Sequence, residues 1–113
     1  KGYDFSPDGK LFAFLSDSKI NIVNLSTGRV ALSINGTTLL TWAPDSSKFT
    51  YSDYDGNVLL YDLNKNETQL LTQTTGDSKA QYVNWSYDSH YILLNPGRPI
   101  YYYPTEVTIF QIP

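Results

Sequence analysis

Three aspartates recur at the same point of a repeating pattern. Asp8, Asp45 and Asp88 follow Ser6-Pro7, Ala43-Pro44 and Ser86-Tyr87, and they are spaced 37 and then 43 residues apart. Gathered on one face, they would make a ring of acids suited to a cation. Each also occupies a turn position where an Asp side chain bonds nearby backbone N–H groups, which accounts for it without a ligand. The segment Asp53-Tyr54-Asp55-Gly56-Asn57 superficially resembles a calcium loop. Its glycine comes two places early for an EF-hand, and its twelfth position is Asn64 instead of Glu, so a hairpin turn is the reading. His90 is the single histidine, and cysteine is absent. A zinc site or a Ser-His relay therefore lacks its parts. No paired carboxylates or ligand cluster points to catalysis, and no cofactor or metal is expected.

What chemistry remains is that of recognition. The stretch PGRPIYYYP, from Pro96 to Pro104, carries Arg98 and three successive tyrosines, Tyr101, Tyr102 and Tyr103. Consecutive residues of an extended segment point to alternate sides, so at least one of these rings faces outward. Tyr and Arg are the residues that most often anchor interfaces. Tyr54, Arg98, Tyr101, Tyr102 and Tyr103 are the candidates for binding a protein partner. The competing reading is a rigid loop packed on its own sheet.

The elements that must position these residues are short strands joined by tight turns. The middle unit runs from Leu40 to Leu71. Its strands are Leu40–Trp42, Phe49–Ser52, Val58–Leu63 and Thr68–Leu71, separated by Ala43-Pro44-Asp45-Ser46, Asp53 to Asn57 and Asn64 to Glu67. Alternation with period two marks the strands, and Pro, Asp and Gly mark the turns. A copy on the N-terminal side places strands at Tyr3–Phe5, Lys10–Leu15, Ile20–Leu25 and Val30–Ile34. A copy on the C-terminal side places them at Tyr82–Trp85, His90–Leu94 and Glu106–Ile112, with a break at Asn95-Pro96-Gly97-Arg98-Pro99 and no fourth strand. Phe5, Trp42 and Trp85 head equivalent strands and read as core between units. A period of about 40 residues with four strands per unit is the signature of β-propeller blades. The expectation is an all-β partial propeller with blades at 1–38 and 39–80 and an incomplete one at 81–113.

Composition agrees with a sheet protein and removes several function classes. Ten Tyr, five Phe and two Trp in 113 residues favour strands, and no window carries a sustained helical period. The net charge is −3 with no Lys/Arg cluster, which argues against a nucleic-acid site. No apolar run reaches the length of a membrane span. There is no Met even at position 1, which suggests a chain processed or excised from something longer.

The segments FSPDGKLFAFLSD and WAPDSSKFTYSDYDGNVLLYDL resemble the repeats of TolB-type and WD40-like β-propellers over essentially the whole chain. The WD40 signature itself is missing: no Gly-His pair precedes a unit, and Tyr61-Asp62 stands where Trp-Asp would. In a narrower way, WAPDSSKFTY, LLYDLNKNETQLL and the Tyr-rich insertion look similar to the N-terminal propeller of dipeptidyl-peptidase-IV-like serine peptidases. That resemblance implies an accessory propeller gating a separate hydrolase domain. The chain has no Gly-x-Ser-x-Gly elbow, so no catalytic residue carries over.

Fewer than three blades cannot close a ring that needs four to eight, and open ends leave strand edges and apolar side chains uncovered. Further blades of the same propeller, further copies of the chain or a separate partner are the three ways to cover them. The leading expectation is a non-catalytic recognition or scaffold module. The alternative is the accessory propeller of a prolyl-oligopeptidase-like peptidase, an enzyme part whose chemistry lies elsewhere. Four glycosylation sequons, at Asn24, Asn35, Asn66 and Asn84, lean towards an extracytoplasmic setting. Asn84 is expected to be too buried to carry a glycan.

Overall fold

A computed structural model of the protein describes residues 2–73, 81–96 and 108–112. Within them the chain is all-β, with eleven strands in three antiparallel sheets. The first sheet is β1 (Tyr3–Phe5), β2 (Leu11–Ser16), β3 (Lys19–Asn24) and β4 (Arg29–Asn35), hydrogen-bonded in that order. The second is β5 (Thr38–Trp42), β6 (Lys48–Ser52), β7 (Asn57–Asp62) and β8 (Glu67–Gln73). The third is β9 (Gln81–Trp85), β10 (Tyr91–Pro96) and β11 (Thr108–Gln111), with β10 in the centre. None of the sheets closes on itself among the described residues.

Each expected strand has its counterpart, with ends moved by a residue or two. One boundary differs in kind. Asn95 and Pro96, the first residues of the expected break, continue β10, with Asn95 paired to Tyr82 and Pro96 to Gln81, and the rest of that break lies outside the described residues. On the other side of β10, the described pairing with β11 runs from Tyr91 opposite Gln111 to Leu94 opposite Thr108.

The repeat extends to single hydrogen bonds. Leu25, Leu63 and Ile112 each donate their N–H to the residue just before the second strand of their sheet, the carbonyls of Lys10, Ser47 and His90. Ser6, Ala43 and Ser86 donate to Leu11, Lys48 and Tyr91 across the first turn. Equivalent residues therefore share backbone roles, and equivalent faces can be compared directly.

Strand alternation gives each sheet two faces. On the second sheet, Trp42, Phe49, Tyr51 and Tyr61 form an aromatic face, with Phe49 fully buried and 5.3 Å and 5.5 Å from the Trp42 and Tyr61 rings. This face packs on the aliphatic face of the first sheet, built from Ala13, Ile20 and Ile22. The third sheet repeats the arrangement: Ile92 and Ile112, with Trp85 beside them, pack on Leu60 of the second. The sheets thus stack in chain order, each aromatic or large-residue face against the smaller-residue face of its predecessor. Between the first and second sheets the chain passes through Gly36. A Cβ there would lie 2.7 Å from Ile20 Cδ1 and 3.1 Å from Tyr51 Cδ2, so a side chain at this position would require the Ile20 end to shift.

Trp42 is core, as its strand position suggests. Phe5, which occupies the same place in the first sheet, is 57% exposed, so the expectation that it is core is not met among the described residues. Asn84 is exposed, contrary to expectation, since alternation turns it away from Trp85 and onto the opposite face of the third sheet.

Candidate functional site

The antiparallel sheets present two ends, each built from turns. At one end lie the β1–β2, β5–β6 and β9–β10 turns that carry the three recurrent aspartates. Each is a type I turn followed by a residue in the left-handed region: Gly9 at φ 74°, Ser46 at 66° and Ser89 at 62°. The aspartates hold these turns shut. Asp8 Oδ1 accepts from the Ser6 hydroxyl at 2.7 Å and the Lys10 N–H at 3.0 Å. Asp88 Oδ1 accepts from the Ser86 hydroxyl at 2.6 Å and the His90 N–H at 3.0 Å. Ala43 offers no hydroxyl in the middle turn, and Asp45 Oδ1 takes both the N–H and the hydroxyl of Ser47 instead, at 2.9 and 2.7 Å.

These bonds set the charge state. The Ser6 hydroxyl first, then the Lys10 N–H, hold the Asp8 carboxyl below its usual value, and Ser86 and His90 do the same for Asp88. Burial pushes the Asp45 carboxyl up, but the two Ser47 donors and the Lys48 ammonium outweigh it, and the net direction is down. All three groups are ionised anchors of their own loops. Among the described residues no group of three or more His, Cys, Asp or Glu side chains is placed to share a metal ion. His90 is an exposed residue ahead of β10.

The turns of successive sheets are also joined to one another. The Asp8 N–H donates to Ser46 Oγ at 3.0 Å, and the Asp45 N–H donates to Ser89 Oγ at 3.2 Å. Both serines are buried. Sequence reasoning missed this ladder. Its signal was a serine in the second and third units where the first has glycine, at a backbone position that disfavours side chains.

The opposite end carries the β2–β3 turn, Asp17-Ser18, and the β6–β7 turn, Asp53 to Gly56. Asp17 and Ser18 both have positive φ, as a two-residue hairpin loop requires. Asp53 organises the second turn: Oδ1 accepts from the N–H groups of Asp55 and Asn57, each at 3.0 Å, and Oδ2 from the Asn57 amide at 3.0 Å. That arrangement explains the calcium-like spacing as turn chemistry. The link between the first two sheets lies at the same end, with Gly36 N–H on the Ser18 carbonyl and Thr37 N–H on the Ser52 carbonyl.

Tyr54 stands on this end with 79% of its surface exposed, its phenol hydrogen-bonded to the Ser18 hydroxyl of the neighbouring sheet. The ring is thereby presented outward and held at its tip, which keeps its apolar faces available. Of the other partner-binding candidates, Arg98, Tyr101, Tyr102 and Tyr103 lie outside the described residues. The geometry can support recognition by an aromatic anchor. Beside it, Lys19 Nζ donates to Asn35 Oδ1 at 3.2 Å on the same end. Neither the family models nor the curated proteins include one that matches this chain.

Proposed function

We propose that the three sheets are successive blades of a β-propeller, the last incomplete, and that the chain serves as a non-catalytic module for recognising a protein partner. The observation that carries the recognition reading is Tyr54, a large aromatic ring left in solvent on a turn fixed by Asp53 and bridged to Ser18. Support for the blade reading comes from the residue-by-residue equivalence of the sheets and from their stacking in chain order. A rigid aromatic anchor loses little conformational entropy on binding and buries a large apolar surface, the usual properties of an interface hot spot.

The test is a peptide-display selection against the immobilised chain, followed by affinity measurement on two variants. Tyr54→Ala is expected to weaken the selected binders about tenfold or more. Tyr87→Ala, which removes a fully exposed tyrosine from the Asp88 turn at the other end, is expected to leave them unchanged. Equal affinity for Tyr54→Ala and the parent, or equal losses in both variants, would overturn the assignment of the site.

A further inference from the structure

Asn35 is the only asparagine in the sequence followed by glycine. An Asn carboxamide and the backbone nitrogen of the next residue can close a five-membered ring, and a following glycine leaves that nitrogen unobstructed and its backbone free to turn. In the closure the Gly36 nitrogen loses its proton and bonds to Asn35 Cγ, while the carboxamide nitrogen leaves as ammonia. Water then opens the resulting succinimide at either carbonyl, giving aspartate or isoaspartate at position 35. The sum is amide plus water to acid plus ammonia, with no oxidant, reductant or enzyme required.

The fold separates the reacting atoms. Asn35 is exposed at the end of β4, whereas Gly36 is buried. The Gly36 N–H, whose proton must leave, is held on the Ser18 carbonyl at 3.1 Å. Asn35 is paired opposite Lys19, and Lys19 Nζ donates to its Oδ1, fixing the carboxamide from the other side. Ile20 and Tyr51 crowd Gly36 and oppose the rotation that would aim its nitrogen at Cγ. Beyond it, the Thr37 N–H is held on the Ser52 carbonyl at 2.8 Å. We infer that Asn35 is a covalent modification site, latent while this link between the first and second sheets is closed and reactive when the link opens. The rate then follows the fraction of time that Gly36 spends away from Ser18, a local opening of the kind that also governs amide hydrogen exchange. Aspartate places a carboxylate where the carboxamide met Lys19. Isoaspartate adds a carbon to the backbone just before Gly36, which shifts the Gly36 and Thr37 N–H groups off their acceptors and disfavours reclosure. This chemistry is intrinsic to the chain and independent of any partner bound at Tyr54.

The test is peptide mapping by mass spectrometry after incubation in mildly alkaline buffer, with and without enough urea to unfold the chain. Conversion is read on the tryptic peptide Val30–Lys48, in which Asn35 is the single amide side chain. The peptide Phe49–Lys65, with Asn57 before Val58 and Asn64 before Lys65, is the internal control. In urea, Val30–Lys48 is expected to gain the mass of the acid and split into two isomers while the control stays unchanged. In the folded chain the same conversion is expected to be slower by about tenfold or more. Gly36→Ala, measured in urea so that folding does not enter, is expected to slow it by crowding the attacking nitrogen. Equal or faster conversion in the folded chain overturns the latency. No conversion in urea, or a control that converts at the same pace, overturns the site. An unchanged rate for Gly36→Ala overturns the Gly36 nitrogen as the attacking atom.

Discussion

Ser46 and Ser89 hold a conformation that side chains disfavour in order to place a hydroxyl between sheets. At φ 66° and 62°, each costs about 1–2 kcal/mol relative to glycine. A hydrogen bond to a neighbouring backbone N–H contributes about 1 kcal/mol. These effects can be separated at position 46. Ser46→Ala keeps the strain and removes the bond from Asp8, and it is expected to destabilise by about 1 kcal/mol in denaturant melts. Ser46→Gly removes both and is expected to fall within about 1 kcal/mol of the parent. An unchanged midpoint for Ser46→Ala would mean that the inter-sheet bond adds nothing. At the same scale, two buried indole N–H groups, Trp42 Nε1 and Trp85 Nε1, have no partner among the described residues.

Among elements, the aspartate turns couple stability to pH. The carboxyls of Asp8, Asp45 and Asp88 all lie below their unfolded value of 3.8. A depressed carboxyl contributes stability that is complete above that value and is lost as pH falls through the lowered folded one. The chain should therefore lose melting temperature below pH 3.8, in addition to any general acid effect. Replacing all three with Asn retains an Oδ1 acceptor for the turn N–H groups and removes the titration. The triple variant is expected to show a shallower fall in melting temperature between about pH 6 and pH 2.5. An identical fall would place the acid sensitivity elsewhere. These turns were also the most legible part of the sequence. Pro-Asp-Gly and Pro-Asp-Ser fix a reversal locally, and alternation such as Phe12, Phe14 or Phe49, Tyr51 fixes the strand beside it, so neither needs the rest of the chain. What could not be read is what depends on one sheet meeting another. The Asp8–Ser46 bond and the Tyr54–Ser18 contact join residues 38 and 36 positions apart. No local preference encodes such pairings. The exposure of Tyr54 was legible from its turn; the partner that steadies its phenol was not.

For the whole molecule, the decisive quantity is how much one sheet gains by lying on the next. The repeat supplies its own control, because Phe12 and Phe49 are equivalent residues in equivalent strands. Phe49 sits between two sheets with no exposed surface, while Phe12 lies on a face that no described residue covers. Both contact aromatic neighbours within their own sheet, so the difference between them isolates stacking. Phe49→Ala leaves a cavity in a closed core and is expected to cost about 3–5 kcal/mol. Phe12→Ala removes a partly solvated ring and is expected to cost about 1 kcal/mol in dilute solution. Equal costs would mean that each sheet is stable by itself and that stacking adds little.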